Sequence, residues 1–474
     1  MKTNPKIILL LLALSQFLVV LDSAIINVAL PAIKEALHFD TASLQWVITA
    51  YILTFGGFLM LGGRMADLYG RRKMLVMGMI GFTTLSLLIG LAPNSTVLVA
   101  LRALQGLAGA FMSPAALSIL LTTFSEGAER NKALSVWSVV ASGGAAAGVF
   151  LGGLITQTLG WQWNFFVNVP IGIIATLGVI KYIPEHIQEE ADKKLDFPGA
   201  ILVTTGLMAL VFGLTQAPEA GWGSVMTILP LVASVLLLVA FVWNESRASH
   251  PLVPLSIFKI RNVVGGNLVM LPIVAGGLGS FFFCSLYVQN VLGYSPIMSG
   301  LAFLPIPVII GIVSTYAPRL LNKFGFKKML LVGTTLVALG MLNMGFLTET
   351  SSYVFNLLPG FVLLGIGMGL SFVAVTVAAT SGVPAHEAGL ASGLINTANQ
   401  VGAALGIAVL AVIAAASTTG ALATGATETA ANLAGYHNAF FTAAGLLVAA
   451  LLVTAFVIRE PKNVTKTDAP IAAH

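Results

Sequence analysis

The sequence predicts an all-α polytopic membrane protein with 14 transmembrane helices, arranged as two six-helix bundles plus two extra helices, and three observations predict it. Of 474 residues, 57% are hydrophobic and only 41 (23 Lys and Arg, 18 Asp and Glu) carry formal charge, far below the roughly one quarter usual for soluble domains. The apolar residues fall into long runs, and fourteen crossings of about 20 residues each would use most of the apolar content. Lys and Arg collect in alternate connections between those runs.

The spans are expected near 7–29, 44–62, 74–92, 96–120, 133–158, 163–182, 197–215, 224–243, 262–290, 297–318, 328–346, 352–380, 389–415 and 437–458. The first, following Met1 to Lys6, ends at Asn27 and Pro31 without a small-residue cleavage site, so it reads as a spanning helix and not as a removable signal. The others must be helical because an unpaired backbone group in hydrocarbon costs several kcal/mol, and strands would show ten-residue alternation instead of long apolar runs. The connections are too short for an extramembrane catalytic or regulatory domain.

With a cytoplasmic amino terminus, 21 of the 23 Lys and Arg fall on the cytoplasmic side; Lys34 lies in the first external loop and Arg102 within a span. One missed helix would invert every later loop, so this bias supports an even helix count, with both termini cytoplasmic and a multi-pass location in a bacterial plasma membrane. The net charge of +5 sits in short loops beside anionic lipid and does not point to nucleic acid.

GGRMADLYGRRKML, at Gly62 to Leu75, and APRLLNKFGFKKML, at Ala317 to Leu330, share a spaced Arg, Gly and Lys-Met-Leu frame. The composition of any tight basic loop explains the residue types but not the aligned spacing, so the frame reads as an internal duplication. Three segments are expected: an N-terminal six-helix bundle over 1–188, two additional helices with their linkers over 189–258, and a C-terminal six-helix bundle with a short tail over 259–474. Parallel six-helix repeats suit a transporter that rocks around a central site.

Several motifs carry a resemblance that covers nearly the whole chain. LDSAIINVALP at Leu21 to Pro31, GRMADLYGRRK at Gly63 to Lys73, and Leu101, Arg102, Gln105, Gly106 and Gly109 resemble the major facilitator superfamily. WQWNFFVNVPIG at Trp161, QNVLGYSPIMSGLAFLP at Gln289 and ASGLINTANQVGAALG at Ala391 are similar to its 14-helix drug:proton antiporter family, of the bacterial multidrug efflux type. The resemblance implies the major facilitator fold and proton-coupled efflux. It has departures: Val149 stands where the fifth-helix motif usually has Pro, Asn399 where many relatives have Arg, and Gln162 and Asn164 between and after the tryptophans.

Asp22 is the one carboxylate expected within the membrane. An unpaired carboxylate there tends to take up a proton, as a proton-coupled carrier requires; the alternative is a structural residue neutralised by Ser15 or Ser23. Arg102 is the one basic residue in a span. Its depth, about 9 Å from the outer start of its helix, is close to the roughly 12 Å that separates Asp22 from Leu30. Either the two form an ion pair that opens when Asp22 is protonated, or Arg102 bonds to Gln105 and backbone carbonyls and only tunes the site.

Asp67 is expected to accept from Arg71 or Arg130 and to oppose the positive end of a neighbouring helix, while Gly63 and Gly70 permit close approach and turning. With Arg72 these residues would latch the cytoplasmic side; the alternative is a loop that only sets topology. Gly143, Gly144, Gly148, Gly152 and Gly153 form a nearly side-chain-free face that close helix packing explains, and in a transporter the fifth helix would also slide against its partner in the other half during rocking, the two roles being compatible. Asn27, Trp46, Tyr51, Gln105, Trp137, Asn267, Tyr287, Gln289, Asn396 and Gln400 are the candidate substrate-cavity residues. Aromatic rings, amides and one negative charge suit a lipophilic or cationic solute; singly, each of them also fits interface anchoring or interhelical bonding.

Enzyme chemistry finds no support. No metal-ligand cluster, phosphate loop or activated nucleophile is evident, and Cys284 has no partner thiol. The expected energy source is the proton gradient, with no metal or organic cofactor. The expected partners are a small-molecule substrate, protons and lipid, with a functional monomer. Sodium coupling, uptake of a specific metabolite and a non-transport membrane sensor are the competing readings.

Overall fold

The computed structural model describes residues 4–39, 46–185, 196–249, 251–294, 296–384 and 387–460. Among them every regular element is helical, as expected where hydrocarbon leaves backbone groups no outside partner. The membrane helices are α1 Pro5–Ala36, α2 Trp46–Tyr69, α3 Arg71–Gly90, α4 Ser95–Thr123, α5 Ala128–Thr158 and α6 Trp163–Tyr182, the last interrupted at Val167. The next three are α7 Phe197–Ala220, α8 Val225–Glu245 and α9 Arg261–Asn290.

A single helical run, Pro305–Met344, contains both α10 (305–324) and α11 (326–344). What divides them is Gly325, whose φ of 79° and ψ of 166° break the helix without a loop. Only a residue lacking Cβ adopts this backbone readily. A short helix, Pro296–Phe303, precedes the run, so the expected span 297–318 is shifted toward the carboxyl end. The last three helices are α12 Leu358–Thr380, α13 Ala388–Ala423 and α14 Glu428–Phe456. α1 and α13 extend well past their expected ends at 29 and 415. Apolarity marks only the part in hydrocarbon, whereas a helix already formed continues into the polar layer because each further turn pairs its own backbone.

Helix ends are set by local chemistry. Asn4, Asn94, Asp196, Ser224 and Thr427 each accept a first-turn N–H at the start of a helix, satisfying donors that would otherwise be orphaned. The two repeated basic turns use the same device. Gly70 (φ 102°) and Gly325 reverse direction. Arg72 then donates to the Ile180 carbonyl and to Glu185, while Lys327 donates through Nζ to the Ala455 carbonyl and through its backbone N–H to Glu460.

Helix α5 packs on α1 and also on α10–α11, and α2 packs on α13. Of the extra pair, α7 lies against both α2 and α13, whereas α8 packs on α7. The outer face of α8, with Leu229, Val232, Leu236 and Val239 exposed, would be a large apolar patch in water and is a lipid-facing surface in a bilayer. Because helices alternate in direction, the turns bearing Arg71, Arg130, Arg247, Lys259 and Lys327 share one end of the bundle, termed here the basic end.

Candidate functional site

A polar centre is buried between five helices. Asp22, on α1, is 1% exposed. Its Oδ2 accepts from Arg102 Nη1 at 2.6 Å. Its Oδ1 accepts from Gln105 Nε2 at 3.0 Å and from Asn168 Nδ2 at 2.9 Å. Arg102, on α4 and also 1% exposed, directs Nε to the Val47 carbonyl at 3.0 Å and shares Nη1 with Gln105 Oε1. Its guanidinium carbon lies 4.4 Å from the Tyr51 ring centroid, a distance at which cation–π attraction is effective. Gln105 also donates to Ser86 Oγ on α3 at 2.8 Å.

The ion pair and the bonding of Arg102 to Gln105 and a backbone carbonyl therefore coexist; they are not alternatives. Ser15 and Ser23 donate to the Leu12 and Val19 carbonyls of their own helix, so the amides of Gln105 and Asn168 satisfy the second carboxylate oxygen. Asn168, the partner from α6, is not among the expected site residues, because a single amide inside the expected span 163–182 carries no charge to single it out. The expected pairing of Asp22 with Arg102 is present, but one expected helix end is displaced. Asp22 stands fourteen residues before the end of α1, about 21 Å, because α1 runs on past Leu30.

Gly144, Gly148 and Gly152 of α5 lie against α1, whereas Gly143 lines a gap with Pro307, Val308 and Gly311 of α10 in the other half. A Cβ on Gly148 would approach Ala24 Cβ to 2.5 Å, one on Gly144 would meet Phe17 and Val20, and one on Gly152 would meet the Ile25 backbone at 3.1 Å. Spacing of four residues brings them onto one stripe that lets α1 sit close on both sides of Asp22. Gly143 is outside this stripe, with nothing within 4 Å of its Cβ position. Gly153 is half-buried. The side chain of Val149 lies outside the described residues.

At the basic end Asp67 joins the halves. Its Oδ1 accepts from Arg71 Nη2 at 2.9 Å and from the Gly389 N–H at 3.0 Å, and its Oδ2 accepts from the Leu390 N–H at 3.0 Å. The carboxylate thus caps the start of α13, where orphan N–H groups and the helix dipole favour negative charge. Gly63 touches the same helix: a Cβ there would be 2.4 Å from the Gly389 carbonyl oxygen. Arg130 does not take the expected place beside Asp67; it donates to Glu126 and to the Leu121 and Phe124 carbonyls, holding the α4–α5 turn. Arg72 likewise ties α3 to the end of α6 and does not cross between halves. A cross-half bond absent from the expectations is Asn131 Nδ2 to Asn322 Oδ1, 3.0 Å.

The ten candidate cavity residues do not form one group. Tyr51 and Gln105 belong to the Asp22 centre. Trp46 stacks obliquely on Phe212 of α7, with centroids 6.0 Å apart. Tyr287 is buried and donates to the Thr348 carbonyl in a connecting turn, and Gln289 is exposed and donates to Ser285 on its own helix. Trp137 packs against the main core. Asn396 donates to the Ser392 carbonyl, and Gln400 rests its Cβ 3.6 Å from the Cβ position of Gly56, where α2 meets α13. Asn267 donates to the Val263 carbonyl, leaving its buried Oδ1 without a donor. The side chain of Asn27 lies outside the described residues.

The sequence profile of the Major Facilitator Superfamily matches residues 12–407. The chain is 41% identical over 417 residues to a puromycin resistance protein of Streptomyces alboniger, covering 86% of this chain and 82% of that protein. It is 40% identical to a cephamycin export protein of Amycolatopsis lactamdurans, with 88% and 87% covered, and 33% identical to the multidrug resistance protein Stp of Mycobacterium tuberculosis, with 88% and 77% covered. Among solved structures the fold is similar to the human organic anion transporter MFSD10, with a TM-score of 0.69, 15% identity and coverage of 96% and 100%. The proton:xylose symporter XylE gives a TM-score of 0.66, 15% identity and 95% coverage of both chains. At that identity the two structures speak to the fold alone.

Proposed function

The chain belongs to the Major Facilitator Superfamily, and on that premise we propose that it is a proton-coupled antiporter exporting amphipathic, cationic small molecules across a bacterial cytoplasmic membrane. As a member of that family it is a membrane transporter and not an enzyme. The names of its relatives, which include antibiotic resistance and export proteins, support efflux as the direction of transport. The observation that carries proton coupling is the buried Asp22–Arg102 pair with its two amide donors. Breaking such a pair by removing one partner costs about 3–5 kcal/mol; adding a proton to Asp22 removes the negative partner without removing the side chain.

Asp22 is enclosed by its donors, so a bulky cation does not replace them directly. Coupling instead works through Arg102. While Asp22 is ionised, its charge cancels that of the guanidinium, and a cationic solute is tolerated nearby. When Asp22 takes a proton, Arg102 keeps only the Val47 carbonyl, Gln105 and the Tyr51 ring, and its uncompensated charge repels the cation. If the basic end is cytoplasmic, the Asp67 latch closes that side, and the released cation leaves outward. Both termini are then cytoplasmic, and one chain is the working unit.

The decisive experiment records internal pH in proteoliposomes bearing an imposed proton gradient, with a panel of lipophilic cations, for the intact protein and for Asp22→Asn. Proton movement that requires a cation and vanishes in the variant is the expected outcome. Cation-dependent proton movement that survives Asp22→Asn overturns the assignment.

A further inference from the structure

Besides Asp22 and Asp67, a further buried carboxylate lies at the basic end of the extra helix pair. Glu245, the last residue of α8, is only 4% exposed. Its Oε2 accepts from the Val253 N–H at 2.8 Å, whereas no donor reaches its buried Oε1. What faces that oxygen is another acid. A methyl group placed on Gly199 would lie 2.5 Å from Glu245 Oε1 and 2.6 Å from Oδ2 of Asp196, the N-cap of α7, so the two acids lie side by side at the start of that helix.

Asp196 is otherwise satisfied as an acceptor: Oδ1 caps the Gly199 N–H at 2.9 Å and Oδ2 accepts from Asn244 Nδ2. Two carboxylates set side by side away from water cannot both be ionised without strong repulsion, and one proton held between them removes it. The charged neighbour from α2 is Arg64, whose Nη2 donates to the Pro251 carbonyl at 3.2 Å instead of to either acid. The guanidinium of Arg247, two residues beyond Glu245, stacks on Trp243 at 4.4 Å.

We propose that the Asp196–Glu245 pair is a proton-binding site of the extra helices, holding one proton between its carboxyl groups and thereby fastening the 251–253 strap onto the seam between the two halves. The strap lies on a shared apolar cluster, in which Leu252 and Val253 pack with Met60 of α2, Val203 and Leu207 of α7, and Leu390 of α13. Leu390 is also a residue whose N–H is held by Asp67. Loss of the shared proton places two adjacent negative charges beneath the strap, and their mutual repulsion, not the Val253 bond, which an ionised carboxylate accepts more strongly, loosens the seam beside the latch. The site therefore senses pH at the basic end, independently of the Asp22 centre.

Infrared difference spectra of the full-length protein in lipid, recorded across a pH titration, test this directly through the C=O stretch of protonated carboxyl groups. One such band is expected to disappear in Glu245→Gln and in Asp196→Asn while persisting in Asp22→Asn. In Glu245→Gln the amide supplies the missing donor while its oxygen keeps the Val253 bond, so this variant should remain folded and decides the comparison; Asp196→Asn turns its nitrogen toward the Asn244 donor and is the less conservative change. A proton bound in the folded state and released on unfolding makes stability fall as pH rises; the intact protein should lose thermal stability toward alkaline pH more steeply than either variant. The proposal is overturned if no band is lost in either variant, if both variants retain the full pH slope of stability, or if stability follows sodium concentration in place of pH.

Discussion

Replacing Asp22 by Asn should leave a folded protein that binds substrate but no longer couples it to protons, with a stability cost readable from the geometry. If the amide oxygen takes the Oδ1 position, it still accepts from Gln105 and Asn168, but the amide N–H then faces Arg102 Nη1, formerly 2.6 Å from oxygen. If the amide flips, its oxygen meets Arg102 while its nitrogen meets two donors. Either orientation forfeits at least one bond and leaves Arg102 without a counter-charge, so the cost should approach the about 3–5 kcal/mol of a broken buried pair. Residual acceptance from Val47 and the Tyr51 ring keeps it toward the lower end. Combining Asp22→Asn with Arg102→Met removes the stranded charge as well, and a double-mutant cycle on thermal unfolding should give a coupling of about 1–3 kcal/mol. Additive losses, or a single variant as stable as the intact protein, would refute the view that these side chains act as one buried pair.

Three further outcomes are expected. Asp67→Ala removes the cap on Gly389 and Leu390, a loss of about 1–2 kcal/mol, and should open the basic end; crosslinking between Asn131→Cys and Asn322→Cys, which replace a 3.0 Å cross-half hydrogen bond, should fall several-fold in that background, and unchanged crosslinking would count against a latch. Gly148→Val should impair folding and transport together, because even a methyl there meets Ala24 at 2.5 Å, whereas Gly143→Ala should be close to neutral because its Cβ position is open; equal effects would reject the α1–α5 packing account. Tyr51→Phe should retain most transport activity while Tyr51→Leu loses about 1–2 kcal/mol of stability, since the ring face and not the hydroxyl holds Arg102; the reverse order would refute that.

Class and helix number were readable because a bilayer imposes a crude test, long apolar runs and one-sided basic turns, that each segment answers independently of the others. The same local character made Asp22 and Arg102 conspicuous, as charges within such runs. Asn168 was not conspicuous: an amide at the break in α6 shows its purpose only when α1 and α6 are seen side by side. Arg130 illustrates the opposite error. Its charge and position suited Asp67, yet carbonyls at the end of α4 were nearer, and a backbone acceptor leaves no distinctive mark in a sequence.

What the amino-acid sequence by itself determined is therefore the set of helices, the grouping of basic turns at one end and the presence of one acid, Asp22, and one base, Arg102, deep within the apolar runs. Partner choice was decided only by tertiary structure: that Gly144, Gly148 and Gly152 of α5 bed α1, that Asp67 caps α13, that Tyr287 bonds a turn, and that Asp196 lies beside Glu245. Apolarity and charge are properties of each residue alone. A hydrogen bond or a close backbone crossing depends on two surfaces far apart in the chain, and its geometry exists only once the helices have packed.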